Sequence, residues 1–287
     1  MSTRDLPAVG GHPEGFAGSM RTDRWWVEPV LTVLVLGAFG VYATWAAFQG
    51  NHYYADPYLS PFYSPLIFVD AQAAVPGGAP EHHAWFGGHW PAWWPDFLPH
   101  SPAFFILAFP GLFRFTCYYY RKAYYRAFTG SPPGCAVVPT AKTRRYRGET
   151  AWLLFQNLHR YAMFFALLFI PILGYDALLS FFHGGLPWDG GRFGIGVGSV
   201  ILTMNVILLA GYTFGCHSFR HLIGGHDDCM SCGRNTLRLR LWKRVTVLNM
   251  KHQNFAWVSL FWVGFTDVYV RLVSQGIWTD FNTWGSP

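Results

Sequence analysis

Charge is scarce in this sequence. Asp, Glu, Lys and Arg make up 13% of its 287 residues, against roughly 25% in an ordinary soluble domain, which excludes a water-facing globule. The shortage is uneven, because residues 51–102 contain no Lys or Arg at all. No Gly-rich phosphate cradle, Walker lysine or Ser–His–Asp arrangement appears, which sets aside nucleotide-binding and hydrolase chemistry. The first 24 residues lack an apolar core behind a basic start, so no cleavable signal peptide is expected. There is no internal repeat, and the absence of paired broken helices in two related halves counts against a transporter.

What is abundant is apolar: 52% of residues are hydrophobic and 19% aromatic. A bilayer core roughly 30 Å thick needs about 20 mostly apolar helical residues, and five runs are long enough. They predict an all-α integral membrane bundle of five transmembrane helices over about 25–48, 103–125, 152–182, 195–219 and 250–273, the last with an amphipathic lead-in from Leu239. The whole chain, 1–287, is then one transmembrane domain with an outer loop at 51–102 and inner loops at 126–150 and 220–245. Pro29, Pro110 and Pro171 lie in or near these runs, where local kinks are expected.

Basic residues set the orientation. Arg121–Arg147 carries seven Lys and Arg, and Arg220–Lys251 another seven. By the positive-inside rule both segments face the cytoplasm, giving an inside N-terminus and an outside C-terminus in a multi-pass protein of the cell membrane. The net charge of +6 reads as topology and contact with membrane lipids, not as nucleic-acid binding. The outer stretch EHHAWFGGHWPAWWPDF places His82, His83 and His89 together, but Trp-rich loops commonly lie on the membrane surface. Cys135 falls in a Pro- and Gly-rich inner loop. The basic RLRLWKR segment can sit on headgroups, on a partner protein, or simply in solvent.

Soft or ionisable side chains inside membrane helices are costly and are functional candidates by default. Counted from the inner ends of their helices, Cys117, His159, Cys216 and His252 fall at one level, about two to three turns in. Bundles build cofactor sites from side chains meeting at matching heights. Taken singly, each histidine also reads as an interhelical hydrogen bond and each cysteine as small-hydrophobe packing. A His pair suits haem b, whereas two His with two Cys matches a Rieske-type [2Fe–2S] cluster. The cluster uses Cys117 and Cys216 on one iron and His159 and His252 on the other, with His217 or His221 as substitutes. A rival set is Cys229-x-x-Cys232 with His221 or His226, in thiols that a cytosolic position should keep reduced. Beside the ligand level, Arg114, Tyr118, Gln156 and Arg160 offer donors and aromatic walls for a quinone head group, or serve as interfacial anchors.

The segments TCYYYRKAYYR, QNLHRYAMF, GCHSFRHLIGG and HQNFAWVSLFWVGFTDVYVRLV resemble the membrane anchor subunit of actinobacterial, mycobacterial-type succinate dehydrogenase, respiratory complex II. The likeness runs from about Ala103 onward and leaves out the His- and Trp-rich outer loop. It implies a single-chain, five-helix anchor that binds a flavoprotein subunit and an iron–sulfur subunit on the cytoplasmic side and passes electrons from succinate to quinone. It also implies a membrane-embedded Rieske-type cluster. The sequence departs from related anchors that carry two b-haems, since its first helix has no His and Cys117 stands where a haem-ligating His is expected. The alternatives are a b-haem anchor using two of His159, His217 and His252, and a non-redox metal-binding membrane transporter.

Overall fold

A computed structural model describes residues 17–69, 75–80, 83–87, 90–95, 97–130, 132–138, 153–225, 229 and 236–284. Among them are eight α-helices, of which four regions are long and apolar enough to cross a membrane: Val27–Gln49, Asn157–Leu179, Val197–Phe214 and His252–Ser274. The protein is therefore a mostly helical, multi-pass membrane chain. The chain forms two compact units, Met1–Gly40 with Cys117–Leu153 and Val41–Thr116 with Leu154–Pro287.

Where one helix is expected over 103–125, the structure has α2 (Ala103–Thr116) and α3 (Tyr118–Thr129), separated at Cys117. At about 1.5 Å per residue, the 14 residues of α2 fall short of a roughly 30 Å core. α3 stops at Gly130, whose φ of 56° is the left-handed cap that glycine adopts without a Cβ clash. The fourth run is likewise divided, into α5 (Val197–Phe214) and α6 (His217–Gly224). The stretch read as the second inner loop is helical in part, since α7 (Thr236–Met250) is rich in Leu, Arg and Lys, all good helix formers. Lys251 separates α7 from α8 (His252–Ser274). The remaining long helices, α1 (Val27–Gln49) and α4 (Leu153–Leu179), follow the apolar runs closely, and Pro110 and Pro171 lie inside α2 and α4.

In the first unit the chain before α1 pairs with the loop after α3. Ser19 and Val137 form an isolated antiparallel bridge, and Arg21 Nη1 donates to Cys135 O at 2.9 Å.

In the second unit α5 packs along α8, with Tyr58, Ala177, Leu202 and Val270 forming a core cluster. The outer loop opens with the hairpin β1 (Tyr54–Ala55) and β2 (Tyr58–Leu59). A second hairpin, β3 (Phe182–His183) with β4 (Arg192–Phe193), joins α4 to α5. A buried polar knot fastens the outer loop to the helices. Asp267, 0% exposed, takes hydrogen bonds from Tyr42, Ser60 and Arg271, and Arg271 also donates to Asn51 O and Ala46 O. His83 reaches the Tyr54 hydroxyl at 3.3 Å, while His82 and His89 lie outside the described residues. Burial, then the neighbouring Asp56, pushes the Tyr54 phenol above its ordinary value.

Candidate redox site

Both central cysteines occupy breaks in helical chain. Cys117 (φ −63°, ψ 134°) precedes α3 and Cys216 (φ −64°, ψ 141°) precedes α6, nearly the same extended conformation at two places in the sequence. Neither cysteine is in a disulfide, and both are buried. Broken membrane helices survive where the freed backbone finds partners, and at the second break Asn249 Nδ2 donates to Gly215 O at 2.7 Å. Gly215 is itself required there: a Cβ would lie 2.8 Å from Gly211 O and 3.2 Å from His252 Nδ1.

Around Cys216 the second unit gathers imidazoles. His159 Nε2, from α4, lies 3.1 Å from Cys216 Sγ, and both residues are buried. His159 Nδ1 lies 2.9 Å from Thr116 Oγ1. His252, the first residue of α8 and 2% exposed, has His159, His217 and Arg114 as its ionisable neighbours.

An aromatic bracket holds the two rings. Phe113 stacks on His159 with centroids 4.8 Å apart and planes 4° apart, and Tyr212 stacks on His252 at 4.9 Å and 9°. Phe113 and Tyr212 meet each other edge-on at 5.2 Å. Each aromatic stands four residues before a cysteine, Phe113 before Cys117 and Tyr212 before Cys216, one helical turn back.

Of the quinone candidates, Arg114 is held by α8. Its guanidinium donates to Ala256 O at 3.1 Å and Ser259 Oγ at 2.9 Å, and lies 4.8 Å from the centre of the Tyr212 ring. Tyr118 and Arg160 are exposed. Gln156 belongs to α4, and its side chain lies outside the described residues.

His217 and His221 are exposed on α6. Cys229 is disulfide-bonded, against the expectation of a reduced thiol. Cys232 and His226 lie outside the described residues.

Among the described residues no three His, Cys, Asp or Glu side chains are grouped closely enough to hold a metal ion by themselves. The His159–Cys216 pair is the contact the structure does make, and its nitrogen and sulfur suit an iron or zinc centre in kind. Thr116, Phe113, Tyr212 and Asn249 escape a search for ligand types alone. The signal for two of them is the aromatic placed four residues before each cysteine.

Residues 27–276 match the family described as actinobacterial succinate dehydrogenase subunit SdhC. The chain belongs to that family. It is accordingly a subunit of succinate dehydrogenase, complex II, and a membrane anchor. Among solved structures it is similar to a chain of the Mycobacterium smegmatis Sdh1 complex in the apo form. The identity is 42% and the TM-score 0.80, over 98% of each chain. No curated protein matches. The likeness thus extends beyond the helices to the His- and Trp-rich outer loop, which the motifs from Ala103 onward had left aside.

Proposed function

We propose that this chain passes electrons from succinate dehydrogenase to a membrane quinone through a Rieske-type [2Fe–2S] cluster held by Cys117, Cys216, His159 and His252. The observation that carries the reading is the buried 3.1 Å contact of His159 Nε2 with Cys216 Sγ, in a subunit of an enzyme whose reaction is electron transfer. Its partners are the flavoprotein subunit, where succinate is oxidised, and the iron–sulfur subunit. Membership of the SdhC family sets aside the non-redox transporter.

When bound, such a centre supplies a one-electron relay whose potential is raised by imidazole in place of thiolate. The chain's own residues do the rest. Phe113 and Tyr212 fix the imidazole planes, and the buried helix ends around Cys216 keep water from the sulfur. Arg114, Tyr118, Gln156 and Arg160 are assigned to the quinone head group, hydrogen-bonding its two carbonyls as it takes up two electrons and two protons. Arg220, stacked on Trp242 at 4.4 Å and bonded to Thr246, braces α6 against α7 and so presents the basic face that docks the iron–sulfur subunit. The chain crosses the membrane five times, with its N-terminus in the cytoplasm and its C-terminus outside.

The complex purified from its own membrane tests this by iron, acid-labile sulfide and haem analysis with a low-temperature paramagnetic spectrum. Cys117→Ser and Cys216→Ser should each remove two irons per flavin and the low-field signal, while Cys229→Ser leaves both in place. Sharp haem absorption bands with no iron lost in either cysteine variant would sink the cluster and favour haem b between two of His159, His217 and His252.

A further inference from the structure

α6 and α7 pack together as a hairpin set between two membrane helices, α5 and α8. Near the base of the hairpin Arg220 Nε donates to Thr246 Oγ1 at 3.1 Å, and further out Arg238 Nε donates to Ile223 O at 2.8 Å, so the two helices are cross-braced twice. The hairpin meets the bundle at two breaks, one at Gly215–Cys216 and one at Lys251. These breaks face each other: a Cβ on Gly215 would lie 3.1 Å from Leu248 O, and Asn249 Nδ2 donates to Gly215 O at 2.7 Å. Tyr212 and His252, which flank the same joint, form a ring stack. Among the described residues of α6 and α7 only Gly224, Val245 and Asn249 are buried, and none is acidic. Arg240, Lys243 and Arg244 are exposed beside Leu237 and Leu241. A helix pair with so few buried groups has little stability of its own. Its cationic, partly apolar face is complementary to an acidic protein surface.

We infer that the α6–α7 hairpin is a docking arm and Asn249 a positioning residue. An acidic face of the iron–sulfur subunit holds the arm at Arg240, Lys243 and Arg244, and the Asn249 amide carries that hold to the Gly215–Cys216 break and the Tyr212–His252 stack. This rests on the reading of α6 and α7 as the docking face, and adds the residue that links that face to the buried rings. The link is short: Asn249 stands three residues before His252 and Gly215 three residues after Tyr212, so one hydrogen bond joins both supports of the stack. Without the amide the Gly215 carbonyl is a buried acceptor that has lost its donor. The joint then opens more readily, exposing backbone on both of its sides.

The test uses the whole complex and reads backbone hydrogen exchange by mass spectrometry. Asn249→Leu keeps the volume and removes the donor. It should speed exchange over 215–220 and 252–256 together, roughly 5- to 100-fold, and leave 200–208 in α5 unchanged. Quinone-linked turnover should fall while the KM for succinate and the reduction of a soluble dye by the flavoprotein stay as in wild type, a split that simple misassembly would not produce. Arg240→Glu combined with Arg244→Glu should shed the flavoprotein at lower salt than wild type does. If that double variant keeps its partners to the same salt concentration, the face belongs to lipid headgroups or solvent, and the docking reading falls with the arm. If it sheds them while Asn249→Leu exchanges like wild type, or faster at one break alone, docking stands and the coupling is overturned. Unchanged quinone-linked turnover in Asn249→Leu overturns the coupling as well.

Discussion

At the scale of single residues, buried polarity in this protein takes two forms with opposite consequences. Asp267 and Arg271 form an ion pair at 2.7 Å with side chains 0% and 4% exposed, and Tyr42, Ser60 and the backbone carbonyls of Asn51 and Ala46 also bond to the pair. Asp267→Asn preserves the outline but strands the guanidinium, a loss of about 3–5 kcal/mol for one-sided removal of a buried pair. Thermal unfolding of the purified complex should show it, and an unchanged midpoint would mean that Arg271 finds water. Asn205 is the reverse case. It is 1% exposed on α5, and neither amide atom has a hydrogen-bond partner among the described residues. Because an orphaned amide costs about 1–3 kcal/mol, Asn205→Leu should leave the melting temperature unchanged or raise it. A clear fall would show that the amide is bonded in the membrane.

The ligand candidates themselves were legible in the sequence, since Cys and His are rare inside apolar runs and stand out by type. Thr116 and Tyr212 were not. Thr and Tyr are ordinary components of membrane helices, and their roles depend on His159 and His252, 43 and 40 residues away along the chain.

At the scale of elements, the apolar runs foretold where helices lie because lipid forces the backbone to bond to itself. The breaks at Cys117, Cys216 and Lys251 carry no such signal. Pro110 and Pro171 sit within continuous helices instead, so the obvious breaker residues do not mark the interruptions. What decides them is tertiary: Asn249, on another helix, takes up the carbonyl freed beside Cys216. Close helix approach is equally invisible in composition. A Cβ at Gly211 would lie 2.5 Å from the Phe255 ring, whereas at Gly111 it would meet nothing within 4 Å. Gly211→Ala should therefore push α5 from α8 at a cost of about 1–3 kcal/mol, and should also disturb the neighbouring Tyr212–His252 stack. Gly111→Ala serves as the control, with no loss of thermal stability expected.

For the whole molecule, the strongest constraint is where cations are missing. With no Lys or Arg between 51 and 102, and seven in each of Arg121–Arg147 and Arg220–Lys251, the charge pattern is the one the positive-inside rule expects of an odd number of crossings. A reporter enzyme active only outside the cell, fused at the C-terminus, should be active, and the same reporter at the N-terminus silent. The opposite result would mean that α2 and α3 together do not traverse the bilayer.

The end of the chain also returns to its middle. Asp280 accepts from Tyr58, Tyr269 and Gly198 N, the last 82 residues earlier, and Asn282 bridges Gly196 at the start of α5. During synthesis α5 must enter the bilayer long before the segment that closes over its head has left the ribosome. Its first amides stay open to water through that interval, and a nascent chain stopped short of Asp280 would display them to the cell's surveillance proteases.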